Sequence, residues 1–97
     1  MTLEEFFKEL KELDLKWYLD EGGAVRAHTE DTNLQLCPVT AVHRKVTGQY
    51  IHPVKAWLSN IMVPWDINLV IASADNRKYD LTLRNAMLQA CNLPVKG

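Results

Sequence analysis

Apolar residues recur every three or four positions at the start of the chain, every second position after that, and every three or four again in the second half. Leu3, Phe6, Phe7, Leu10 and Leu13 make one stripe of an amphipathic helix. Thr2 and Glu5 in front of it spell a capping box, in which the Thr2 hydroxyl accepts from the Glu5 amide and the Glu5 carboxylate from the Thr2 amide. From Leu15 the period falls to two. Leu15, Trp17 and Leu19 alternate with Lys16 and Tyr18, and Val25 and Ala27 alternate with Arg26 and His28, as two half-buried strands would. Asp20-Glu-Gly-Gly23 between them is a turn whose glycines supply positive φ. A polar loop follows over 29–33, and Leu34 and Leu36 flank Gln35 in a third short strand. The prediction is a small antiparallel hairpin or three-stranded meander. A bare hairpin is marginal in water, so the Phe-rich stripe of the first helix is its expected cover.

Cys37-Pro38 marks the return to helical spacing. Proline suits the first helical position, where its missing N–H costs nothing. In the helix it opens, Val39, Val42, His43 and Val46 share one face and Thr40, Arg44, Lys45 and Thr47 the other, with Gly48 as the stop. Pro53 opens a further helix in which Val54, Trp57, Leu58 and Ile61 form an inward stripe. Met62-Val-Pro-Trp65 is expected to lie against the core. Asp66 then caps a helix to Ala74, apolar on most sides and for that reason expected to be the most buried. Asp75-Asn-Arg-Lys-Tyr79 is a loop. Asp80 caps the last helix, with Leu83, Ala86, Met87, Ala90 and Cys91 turned inward and Asn92 and Pro94 ending it. The fold class is α+β in one domain over residues 1–97: an N-terminal helix and small sheet in 1–36, then four mostly short helices in 37–93.

Composition narrows the class of protein without assigning an activity. The chain of 97 residues is 47% apolar and 24% charged, with a net charge of −1, an ordinary balance for a soluble domain. No apolar run is long enough to span a membrane, and the acidic start, Met1-Thr-Leu-Glu-Glu-Phe-Phe7, is unlike a signal or transit peptide. Two widely separated cysteines, Cys37 and Cys91, make no disulfide framework, so the expected setting is the reducing cytoplasm. The charge is uneven: residues 1–31 hold nine acids and four bases, and the remainder seven bases and three acids.

Candidate chemistry is sparse. Cys37 at a helix start is placed as reactive cysteines are, but His43 lies roughly 9 Å further along the same helix, too far to activate it directly. A small buried cysteine fixing the strand-to-helix corner is the reading preferred. His28, His43, His52 and the two cysteines lack metal-ligand spacing, no phosphate-binding glycine loop is present, and Asp66, Asp75 and Asp80 sit where carboxylates cap helices. Neither a cofactor nor a metal is expected. Helices over 53–61 and 66–75 have helix-turn-helix proportions, yet the second is too apolar to read a groove. What remains is a surface for binding: Arg44, Lys45, Tyr50, His52, Lys55, Arg77, Lys78 and Arg84, with the outer face of the sheet (Lys16, Tyr18, Arg26, His28, Gln35) beside it. Trp65 and Tyr79, where exposed, are suitable anchors.

The segments Gly23-Ala-Val-Arg26, Cys37-Pro-Val-Thr-Ala-Val42, Val46-Thr-Gly48, Ile71-Ala-Ser-Ala-Asp-Asn76 and Leu83-Arg-Asn-Ala-Met-Leu-Gln-Ala-Cys91 resemble, in the same order, a pattern in small phage and prophage proteins of unassigned function. The resemblance implies a bacterial or phage cytoplasmic setting, and carries over no site residues. It favours an accessory protein or host-factor inhibitor. The expectation is a non-catalytic protein, monomer or homodimer, that binds a protein partner. The alternative is a nucleic-acid-binding accessory protein using the basic surface of its C-terminal half, against which a pI near 6.3 stands.

Overall fold

The computed structural model describes residues 1–29, 34–77 and 80–95. Its elements run α1 (Leu3–Glu12), β1 (Trp17–Leu19), β2 (Val25–His28), β3 (Gln35–Leu36), α2 (Pro38–Thr47), a 3-10 helix (Pro53–Leu58), α3 (Pro64–Ala74) and α4 (Leu81–Ala90). The class is the α+β arrangement expected, with the sheet a three-stranded antiparallel meander in the order β1-β2-β3. Trp17 faces Ala27 and Leu19 faces Val25 across the first pair, and Ala27 faces Leu36 across the second. Most of the expected loop over 29–33, together with Lys78 and Tyr79, lies outside the described residues.

The local signals act as chemistry dictates. The capping box of α1 is complete, with Glu5 N–H to Thr2 Oγ1 at 3.1 Å and Thr2 N–H to Glu5 Oε1 at 3.0 Å, and these bonds hold the Glu5 carboxyl below its ordinary pKa. Pro38, Pro53 and Pro64 each open a helix. Each helical element after the sheet is followed by a residue with positive φ: Gly48, Asn60, Asn76 or Asn92. Asparagine tolerates this conformation better than most side chains. After α3, the Arg77 and Asn76 amides reach back to the Ala72 and Ser73 carbonyls; after α4, Leu93 and Asn92 do the same to Leu88 and Gln89. Both are Schellman closures.

Phe6 and Leu10 of α1, Val25 of β2, Leu36 of β3, Val39 and Val42 of α2, Ile67 and Val70 of α3, and Met87 and Leu88 of α4 are buried together. α2 is the central strut, packed against α1, α3, β3 and the 3-10 helix. All of Pro38–His43 is buried, so the first half of α2 rather than α3 is the most enclosed helical segment. α3 leaves Trp65 and Asn68 to solvent. Val46, expected inward, is exposed at the far end of α2.

Two further expectations are corrected by the packing. Segment 53–58 winds as a 3-10 helix, whose period of three turns Pro53, Ala56 and Ser59 towards the body of the protein. Ala56 and Ser59 are buried, while Val54, Trp57 and Leu58 of the expected inward stripe are exposed. In α4 the inward positions are 84, 87, 88 and 91, an i, i+3, i+4, i+7 set with an arginine in its first place. Arg84 is therefore not a surface residue. It is 3% exposed and donates to the carbonyls of Ser73 (2.7 Å), Ala74 (3.3 Å) and Gly23 (2.6 Å).

Those bonds fasten the β1–β2 turn to the α3–α4 corner. Asp20 builds the turn, its Oδ1 accepting from the Gly22 and Ala24 amides and its carbonyl from the Gly23 amide. Asn76 Nδ2 donates to the Gly22 carbonyl at 3.1 Å, and Arg26 pairs with Asp75 at 2.8 Å. Gly23, alone of the two turn glycines, has positive φ (82°), and a Cβ there would collide with the Asn76 amide. At Gly22 a Cβ meets only the Asp20 carboxylate at ordinary contact.

Removing the guanidinium in Arg84→Met takes a charged donor from the Ser73, Ala74 and Gly23 carbonyls and is expected to cost about 2–4 kcal/mol in urea unfolding. Gly23→Ala is expected to cost more than ~1 kcal/mol and Gly22→Ala within about 0.5 kcal/mol. Equal midpoints for the two glycine variants would show that the turn is not pinned as described.

Candidate protein-docking surface

Ten large apolar side chains are exposed among the described residues, and five of them, Val54, Trp57, Leu58, Val63 and Trp65, fall within twelve positions. Scattered apolar residues on a surface need no account; a concentration of this kind does. The backbone explains it. With three residues per turn, Val54 and Trp57 stand one above the other on one outer face of the 3-10 helix, and Lys55 and Leu58 on another. Val63 and Pro64 then start α3 without a side-chain cap, which puts Trp65 in the exposed first turn, 71% accessible. The expected packing of Met62-Val-Pro-Trp65 onto the core holds for Met62 alone.

Between the 3-10 helix and α3 runs a groove of ≈ 350 Å³, lined by Pro53, Val54, Trp57, Asn68, Ile71, Asp75 and Arg77. Asn68 follows Trp65 by three residues, so both lie on one side of α3. At the opposite end Asp75 takes Arg26 on Oδ1 (2.8 Å) and Arg77 on Oδ2 (3.2 Å). The result is an apolar shelf with a charged terminus.

The residues expected to form one basic surface are dispersed. Arg84 is inside, as described. Lys45 bridges Glu9 (2.8 Å) and Glu12 (3.1 Å) of α1, and those bonds hold its ammonium above the ordinary lysine pKa. Arg44 is half-buried beside Leu13, Leu15, Leu36 and Ala41. The Tyr50 hydroxyl donates to the Gln35 carbonyl at 3.5 Å, at the edge of the sheet. His52 caps the 3-10 helix, Nδ1 accepting from the Val54 amide at 3.2 Å, and Lys55 is exposed one turn on. Among the described residues of that set Arg77 alone lines the groove, while His52 and Lys55 belong to the start of the 3-10 helix beside it. Val54, Trp57 and Leu58, which helical spacing sends inward, were missed; the buried Ala56 and Ser59 at period three were the available signal.

On the outer face of the sheet, Tyr18 stacks on His28 (ring centroids 5.4 Å apart) with Oη 2.9 Å from Nε2, and Gln35 donates to the same hydroxyl at 3.2 Å. Arg26 turns away to Asp75. These groups partner one another.

Cys37 is the N-cap of α2, buried, its Sγ 3.4 Å from the Thr40 nitrogen and 3.2 Å from Thr40 Oγ1. His43 is buried too, with Nδ1 3.1 Å from the Ser59 carbonyl oxygen, so the ring is committed to the end of the 3-10 helix. Among the described residues no three His, Cys, Asp or Glu side chains gather as a metal site, and no helix is long and apolar enough to cross a membrane. Comparison with family models, curated proteins and solved structures finds no match to this chain.

Burial pushes the Cys91 thiol up to about 12, with the nearby Arg84 charge offsetting only part of the shift. In the unfolded chain a thiol ionises near pH 8.5, so between there and about 12 the folded state holds the extra proton. Stability accordingly falls as pH rises through this window, by at most about 1.4 kcal/mol per pH unit from this group. Urea titrations at several alkaline pH values are expected to show a steeper loss for the native chain than for Cys91→Ala; parallel slopes would remove the thiol from the account.

Proposed function

We propose that this chain is a small non-catalytic protein that acts by docking a protein partner on the shelf formed by Val54, Trp57, Leu58, Val63 and Trp65. The observation that carries the reading is the concentration of exposed apolar side chains within twelve positions, two of them tryptophan, of which Val54 and Trp57 line an open groove. Exposed indoles lower solubility, whereas at an interface they are the side chains most often responsible for affinity. The resemblance to small phage and prophage proteins supplies the setting: a bacterial cytoplasm, and the role of a phage accessory protein or an inhibitor of a host factor. The nucleic-acid alternative is less well supported. It needs several bases free on one face, and here Arg84 is buried while Lys45 is held by two carboxylates.

The test is affinity purification from a bacterial host lysate with the native chain and with Trp57→Ala/Trp65→Ala. A partner identified by mass spectrometry is expected to be retained by the first and lost from the second, a drop of roughly a thousandfold in affinity with both indoles as hot spots. Retention of the same partner by both proteins sinks the assignment to this shelf. Sedimentation of the two proteins over a range of concentrations distinguishes a second copy of the chain as the occupant.

A further inference from the structure

The charged end of the groove sets the chemistry of the partner it can take. Asp75 is a single carboxylate serving two guanidinium groups. Arg26 is fixed: it is largely buried, holds Asp75 Oδ1, and donates to its neighbour's carbonyl, Val25 O, at 2.8 Å. Arg77 is different. Its backbone is pinned by the Schellman closure onto Ala72, but its side chain is 63% exposed and commits one nitrogen to Asp75 at 3.2 Å. A guanidinium carries five N–H donors, so most of its fork faces solvent at the mouth of the groove. Two cations on one anion leave one positive charge in excess there. The rest of the lining is Pro53, Val54, Trp57 and Ile71, with the Asn68 amide as the remaining polar group.

We propose that the groove between the 3-10 helix and α3 receives a peptide segment of the partner in which an apolar anchor is followed closely by a carboxylate, the anchor lying between Trp57 and Ile71 and the carboxylate on Arg77. This rests on the docking reading and specifies its ligand. A volume of ≈ 350 Å³ is at the small end of ligand clefts, room for one or two side chains of a chain that continues past the mouth. An aspartate or glutamate matches the guanidinium fork, two parallel N–H···O bonds on one planar group. A purely apolar segment covers Arg77 while offering no acceptor to the donors that Asp75 leaves open, which is costly.

The experiment pans a random dodecapeptide library on filamentous phage against the purified full chain, then measures synthetic versions of the selected peptides by fluorescence anisotropy. The expected peptides carry an aromatic or branched apolar residue with Asp or Glu within a few positions. Trp57→Ala is expected to weaken them by roughly tenfold or more. Arg77→Gln and a rise from about 50 to about 500 mM NaCl are each expected to weaken them by about three- to tenfold. Arg77→Lys, which keeps the charge but not the fork, is expected to fall between native and Arg77→Gln. Circular dichroism of each variant checks folding; Trp57 and Arg77 are both exposed, so neither substitution removes core. Peptides that need Trp57 but are indifferent to Arg77 and to salt overturn this proposal while leaving the docking shelf standing. Selection of peptides indifferent to both residues, or of none, overturns both.

Discussion

The guanidinium of Arg84 fastens the β1–β2 turn, the end of α3 and α4 to one another. It sits at an inward position of α4, in line with Met87, Leu88 and Cys91, and spends its donors on the last carbonyls of α3 and on the β1–β2 turn. Carbonyls at a helix end lack intrahelical partners, and a buried arginine needs acceptors. Each solves the other's problem. A small sheet with three short strands gains a rigid attachment to the helical half, reinforced by Asn76 on Gly22 and by Arg26 on Asp75. Gly23 is the backbone condition for all of this, because a larger residue in its place would push the Asn76 amide away.

The same junction shapes the proposed docking groove. Asp75 and Arg77 are the C-cap of α3 and the second residue beyond it, so the closure that ends the helix also sets the direction in which Arg77 leaves it. Arg26 comes from the sheet to share Asp75. The charged end of the groove is therefore a product of the strand-to-helix attachment, while its apolar end is a product of the 3-10 winding of Pro53–Leu58. Two unrelated local decisions meet across one opening.

Winding is the decisive point for the apolar end. Val54, Trp57, Leu58 and Ile61 are a complete stripe at 3.6 residues per turn and a scattered set at three. Pro53 at the start and the αL residue Asn60 close behind leave a short segment, and short segments are where 3-10 geometry is found. His43 from α2 occupies the Ser59 carbonyl, which holds the end of the segment against the central helix with Ala56 and Ser59 underneath. The small residues go in and the large ones stay out.

What the sequence determined by itself is local: the capping box at Thr2, the alternation of β1 and β2, the turn at Asp20, the proline starts at 38 and 53, the stop at Gly48, and with them the α+β order of elements. These depend on a few neighbouring residues and on hydrogen bonds that close within one turn. The tertiary structure decided which way the ambiguous faces point. An arginine at position 84 reads as solvent-facing because its charge dominates any hydropathy pattern, and only the arrival of Gly23 and the end of α3 supplies the acceptors that let it go inside. The Trp57 face reads as core because burial is the default for an indole, and only the period of three, imposed by what packs beneath, turns it to solvent. The expected basic surface lost members for the same reason: Lys45 and Arg84 have partners distant in sequence, Glu9 and Glu12 for the first and the Gly23 carbonyl for the second, and no local pattern records such pairings.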